Sequence, residues 1–136
     1  MKKLILLLLL LFIPFISFTQ IDIGKTKSQI KAKQSAPPCM EEERTLMFCS
    51  SDGNMIGYVF TNNRCESIQF YTAYSTKYKA EIELEKAINS FALETNDTPI
   101  KSGGMTTFSS GSGIGVTFSI VEFNKTNYVR QIYEAY

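Results

Sequence analysis

The sequence predicts an α+β domain built on an antiparallel sheet of about six strands, and three observations predict it. Six short runs alternate apolar and polar residues between turn signals. One longer stretch, Lys79 to Leu93, carries Ala80, Leu84, Ala87, Ile88 and Phe91 at helical spacing. The order is three strands, this helix, then three strands, with turns too tight for parallel crossovers. One strong and one weak helix are expected on one face of the sheet.

The chain has 136 residues, no histidine and no tryptophan. Its first stretch reads as an address. Lys2 and Lys3 precede an apolar run, Leu4 to Phe18, interrupted by Pro14 and Ser17. As a helix the run would span roughly 22 Å, against about 30 Å of hydrocarbon. Ser17 and Thr19 put small residues at the −3 and −1 positions of a cleavage before Gln20. Met1–Thr19 is therefore expected to be a bacterial-type signal peptide. The mature protein is expected to be exported, periplasmic or extracellular, with no membrane span left after cleavage. The formal charge of +1 falls to near −1 once Lys2 and Lys3 are removed, which argues against nucleic acid as a partner.

Residues 20–43 form an N-terminal segment. Thr26 caps a weak helix whose single large apolar anchor is Ile30. Gln34 to Glu43, with Pro37-Pro38 and three consecutive glutamates, reads as a linker or turn. Residues 44–136 are the α+β domain, with 24–43 left open as part of it. Its first three strands are Arg44–Ser50, Met55–Thr61 and Cys65–Tyr74. Asp52-Gly53-Asn54 and Asn62-Asn63-Arg64 join them as three-residue loops. In that register Leu46, Phe48, Ile56, Tyr58, Phe60, Ile68 and Phe70 share one apolar face. After the helix, Asn96-Asp97-Thr98-Pro99 ends the segment, and Met105–Ser109, Gly115–Phe123 and Tyr128–Tyr133 complete the strands. Phe48 with Gly57 and Phe60 is echoed by Phe108 with Gly115 and Phe118. The echo suggests two α-β-β-β units.

Cys39, Cys49 and Cys65 meet an oxidising compartment on export, with one thiol left over. The register separates Cys49 from Cys65 by roughly 13 Å along the strands, whereas a disulfide needs Cα atoms within about 7 Å. Cys39 precedes the first strand at the end where Cys65 lies. The favoured pair is Cys39–Cys65, with Cys49–Cys65 or no bond as the alternatives.

Gly24-Lys25-Thr26-Lys27-Ser28-Gln29-Ile30 resembles the helix-opening motif of the small outer-membrane assembly lipoproteins of the SmpA/OmlA type, whose architecture is similar to the secreted β-lactamase-inhibitor protein. Pro37 stands at that family's proline position, and Gln34-Ser35 replaces its Leu-Gly pair. Tyr58-Val59-Phe60-Thr61-Asn62-Asn63 looks like its following strand and turn. The lipid-bearing cysteine is missing, so an assembly role does not carry over. The resemblance implies a small exported α+β module that works by binding.

Without histidine, Ser-His and Cys-His dyads and histidine-containing zinc sites are excluded. Glu41-Glu42-Glu43 reads as a solvated charge run. Gly111-Ser112-Gly113-Ile114-Gly115 precedes a strand pattern, so it reads as a hairpin connection and not a phosphate cradle. No enzyme activity, cofactor or metal is expected. Tyr71 alternates away from Ile68 and Phe70, so it should face outward with Ser67 and Gln69. Tyr71, Thr61, Ser67 and Gln69 form the candidate binding face for an unknown protein partner. The alternative is a carrier of a small hydrophobic ligand, with a pocket between helix and sheet lined by Phe60, Phe70, Phe91 and Phe118.

Overall fold

A computed structural model describes residues 22–109 and 113–136. The expected signal peptide, and Ser110, Gly111 and Ser112 of the glycine-rich connection, lie outside the described residues. The described elements, in order, are α1 (Lys27–Lys33), β1 (Met40–Glu41), β2 (Thr45–Cys49), β3 (Met55–Thr61), β4 (Arg64–Tyr74), α2 (Lys77–Thr95), β5 (Ile100–Ser102), β6 (Met105–Ser109), β7 (Ile114–Phe123) and β8 (Thr126–Ala135). The fold is α+β, and every strand pairing is antiparallel. The sheet has 8 strands in the order β1-β2-β3-β4-β8-β7-β6-β5, where six were expected. The two extra strands, β1 and β5, are the short sheet edges. They are two and three residues long with every residue exposed, so they carry no alternation that a sequence reading detects. The segment expected to be a linker thus contains β1.

Each helix begins where a threonine supplies the missing acceptor. Thr26 accepts a hydrogen bond from the Gln29 amide, and the Gln29 side chain accepts one from the Thr26 amide, a capping box. Thr76 accepts from the Lys79 amide in the same way at the start of α2. Asn96 ends α2 in the left-handed conformation, φ 54°, which asparagine tolerates better than most residues.

The second hairpin keeps the expected register away from its turn, whereas the first is shifted by two residues. The Ser50 amide donates to the Asn54 carbonyl, so the loop is Ser51-Asp52-Gly53 and not Asp52-Gly53-Asn54, and a shift of two leaves the apolar face unchanged. Leu46 faces Tyr58, Phe48 faces Ile56, and Ile56 in turn faces Phe70. At the β3–β4 turn only Asn62 and Asn63 form the loop, both with positive φ (50° and 60°), the signature of a tight primed turn. Phe60 therefore faces Cys65, and the register shifts between Val59 and Phe60. This bulge turns Cys65 to the apolar side, where it is 2% exposed.

That shift is half of the reason why the favoured Cys39–Cys65 pair does not form. The other half is β1. The chain before β2 doubles back along it, with Met40 opposite Met47. Cys39 is carried to the far end of β2 and bonds to Cys49, with Cα atoms 5.8 Å apart. Cys65 is a free, buried thiol.

Two apolar clusters form the core. The first joins Ile30 of α1 to Leu46, Tyr58, Phe60, Cys65 and Ile68, with Ile23, Phe48, Ile56 and Phe70 packed against it. The second joins Ile88 of α2 to Phe108, Val116 and Phe118, with Leu84, Ala87, Phe91, Ala92 and Tyr133 around it.

The two halves share the order helix then four strands. Their registers correspond: Phe48–Ile56 matches Phe108–Val116, and Ile56–Phe70 matches Val116–Tyr133. In this correspondence Gly57 matches Thr117 and Phe60 matches Ile120. The Phe48/Phe108 part of the echo therefore holds, whereas the Gly57/Gly115 and Phe60/Phe118 equations were out of step by two residues.

Candidate functional site

The halves meet where β4 pairs with β8, and Gln69 faces Ile132 at the middle of this seam. Strand alternation divides the side chains there into two sets. One set contains Phe70, Thr72, Val129, Gln131 and Tyr133. The other contains Ser67, Gln69, Tyr71, Tyr128, Arg130 and Ile132. Met47, Met55 and Gly57 of neighbouring strands join the second set by register.

Four of these residues order the Tyr71 face. The Tyr71 hydroxyl donates to Oε1 of Gln69, two residues along the same strand. The Tyr71 and Tyr128 rings meet edge to face, centroids 6.2 Å apart at 88°, the arrangement ring quadrupoles favour. Arg130, directly opposite Tyr71 in the ladder, donates from Nε to Ser119 Oγ at 3.2 Å. Gly57 lies beneath this group. A Cβ there would meet Met47 at 3.6 Å and Tyr71 at 3.9 Å, ordinary contacts, so both side chains lie over this glycine.

The four residues expected to form a binding face do not act together. Gln69 and Tyr71 are joined as described. Ser67 follows the same alternation but is 4% exposed, and its hydroxyl has no hydrogen-bond partner. Thr61 sits by the Asn62-Asn63 turn, six residues of β3 from the rung of Tyr71, roughly 20 Å away. Its hydroxyl accepts from Arg44 at 3.0 Å. Arg130, Tyr128 and Ile132 were missed because they lie on β8. Only the non-local pairing of β4 with β8 brings them to Tyr71, although their own alternation was visible in Tyr128-x-Arg130-x-Ile132.

On the Phe70 side a half-open groove of about 250 Å³ runs between α2 and the sheet. Phe70, Ala87 and Val129 supply its apolar lining, and Thr72, Tyr74, Ser90 and Gln131 its neutral polar one. Lys86 and Glu83 face each other across 2.8 Å at its helix wall. Burial raises the Tyr74 hydroxyl pKa above its usual range, and the Glu83 carboxylate adds to the effect. Of the four phenylalanines expected to line a carrier pocket, only Phe70 does. Phe91 and Phe118 pack in the second cluster, rings 5.5 Å apart, and Phe60 is buried in the first.

The one buried carboxylate among the described residues, Asp22, lies near the first cluster, 5% exposed. Lys33 pairs with it, Lys25 lies 3.5 Å away, and the Tyr58 hydroxyl donates to it at 3.4 Å. Burial, with this carboxylate alongside, drives the Tyr58 hydroxyl pKa well up. Through the Tyr58 hydroxyl this carboxylate ties the segment before α1 to β3. No group of three or more His, Cys, Asp or Glu able to hold a metal ion occurs among the described residues. None of the described helices is long and apolar enough to cross a membrane.

No family model matches this sequence, and neither a curated protein nor a solved structure does.

Proposed function

We propose that the chain is an exported, non-enzymatic binding module that receives a protein partner on the Tyr71 face. In this reading both helices lie on the Phe70 face, and the partly exposed Gln69, Tyr71 and Arg130 of the opposite face make the contact. The observation that carries it is the ordered group at the seam. Tyr71 is held by Gln69, braced edge-on by Tyr128, and flanked by an Arg130 whose stem is fixed by Ser119. Aromatic and arginine side chains with little rotamer freedom left to lose are what protein interfaces use as anchors. Export supplies the compartment in which the Cys39–Cys49 bond persists.

The test places a photo-crosslinking side chain at position 71 in the producing cell, with the same side chain at exposed Glu85 of α2 as control. The expected result is a discrete protein adduct from position 71, absent from position 85 and lost when Arg130→Ala is added. Identical adducts from both positions, or none from position 71, would overturn the reading. The mature N-terminus, read from intact mass, is expected at Gln20.

The groove favours a second reading, a carrier of small ligands. Its mixed lining fits an amphipathic molecule better than the purely hydrophobic one expected from the sequence.

A further inference from the structure

The three cysteines occupy two very different settings. Cys39 and Cys49 are exposed and bonded. Cys65 is buried, and its thiol pKa is pushed up to about 11, chiefly by burial. A buried thiol that stays protonated is a poor nucleophile and is shielded from exchange. The exposed bond can therefore open and close without the third sulfur scrambling it.

The bond clips β1 to β2. That edge strand has two ladder residues, Met40 and Glu41, both exposed. Few other forces hold it. The Cys39 and Glu42 amides donate to Met47 and Thr45 carbonyls, both at 2.9 Å. From α1, Lys31 pairs with Glu41 at 2.8 Å, and Lys27 donates to the Glu42 and Glu43 carbonyls. These are solvent-exposed contacts of small net worth. No apolar side chain of β1 enters the core. Beneath β1 lies β2, whose Leu46 is fully buried and whose other edge is secured by β3.

We infer that the Cys39–Cys49 disulfide is a reducible latch on one edge of the sheet: opening it releases β1 and uncovers the outer edge of β2 while the rest of the fold stays intact. The reductant is a dithiol. One of its thiolates attacks a sulfur of the Cys39–Cys49 bond, forming a mixed disulfide and expelling the other cysteine as a thiolate. The second thiol of the reagent then closes its own disulfide and releases the remaining cysteine. Two electrons pass from the dithiol to the protein, and the cysteines take up its two protons. An uncovered strand edge presents unpaired amides and carbonyls, the surface on which an extended chain adds. The opposite edge, β5, has no such clip.

Hydrogen exchange of the whole mature protein, oxidised and after dithiothreitol, tests the latch, with thiol alkylation counted by mass. Reduction is expected to expose two alkylatable cysteines under native conditions and to leave Cys65 unlabelled. Exchange of the β1 amides and of the β2 amides that face β1, within residues 39–49, should accelerate by roughly a hundredfold, the effect of losing a short closed loop. Protection of Leu84–Phe91 and Tyr128–Tyr133 should not change. A Cys39→Ser/Cys49→Ser double variant, without reductant, should reproduce the reduced pattern. Unchanged exchange over 39–49 would overturn the inference, because β1 would then hold unaided. Loss of protection throughout the sheet would overturn it too, because the bond would then support the entire fold. Three free thiols in the oxidised protein would refute the bond itself.

Discussion

The α1 half and the α2 half reach the same order of elements by different means. In the first, the helix spans Lys27–Lys33 and buries a single residue, Ile30. A helix of that length is marginal by itself. It is supplemented by the capping box at Thr26, by the lysines that reach Asp22, Glu41 and the loop carbonyls, and by the disulfide on the neighbouring edge. In the second, the helix spans Lys77–Thr95. There Phe91 meets Phe108 at 4.8 Å and Phe118 at 5.5 Å, and Phe108 meets Phe118 at 5.9 Å. Three rings do by apolar burial what the first half does by many polar and covalent ties. A short helix can be kept in place, but only by recruiting partners from outside itself.

The sharpest way to break this contrast is to remove a ring. Phe108→Ala should destabilise the protein by about 3–5 kcal/mol, because Phe108 is fully buried between the other two. Ile30→Ala removes a smaller side chain and should cost about 2–5 kcal/mol, toward the lower end, and its loss of hydrogen-exchange protection should concentrate in the α1 half. Urea unfolding of both variants checks the order. Equal losses spread over both halves would mean that the sheet, and not each helix, sets local stability.

Alkaline pH acts most on the first half, which holds Tyr58 and Cys65, while burial also raises the Tyr133 hydroxyl pKa in the second. The Cys65 thiol is raised from an ordinary value of 9.0 to about 11 in the fold. Below pH 9 both folded and unfolded thiols are protonated, and the full contribution is present. Between pH 9 and 11 the unfolded chain loses its proton first, so stability falls by up to about 3 kcal/mol. The raised Tyr58 hydroxyl acts in the same direction at higher pH. Cys65→Ala should remove the part of the slope between pH 9 and 11, as read from urea midpoints across that window.

The smallest comparison uses the two caps. Thr26→Ala and Thr76→Ala each remove one side-chain acceptor, worth about 1 kcal/mol. The loss should melt α1 and leave α2 frayed only in its first turn. Amide exchange at Ile30, against that at buried Ile88 in the interior of α2, distinguishes these outcomes.

Wherever a segment announced itself by local pattern, the fold was legible. Six strands and both helices follow from alternation, from Thr26 as a cap, and from the Ala80–Phe91 stripe. The Ile56–Phe70 pairing follows from turn residues; Leu46 shares the expected face but pairs with Tyr58, two residues from the register the first turn implied. What was not legible depended on pairing across distance or on polar edges. Met40-Glu41 and Ile100-Lys101-Ser102 give no alternation, and without β1 the register leaves Cys39 at the end of β2 where Cys65 lies. The bulge that turns Cys65 inward depends on a loop one residue shorter than expected. The Tyr71 site was half visible, since Gln69 and Tyr71 share a strand. Arg130 and Tyr128 join them only through the order of the strands.

The placement of β4 beside β8 also bears on how the chain assembles. Every other rung joins neighbours along the chain, so each meander can form from nearby residues. The rungs from Ser67–Glu134 to Tyr74–Asn127 cannot, because the whole second half lies between their partners. Among the pairings described, their closure carries the largest entropic cost. Until it happens, Gln69 and Ile132 belong to two unjoined ribbons, and the patch that Tyr71 shares with Arg130 does not yet exist.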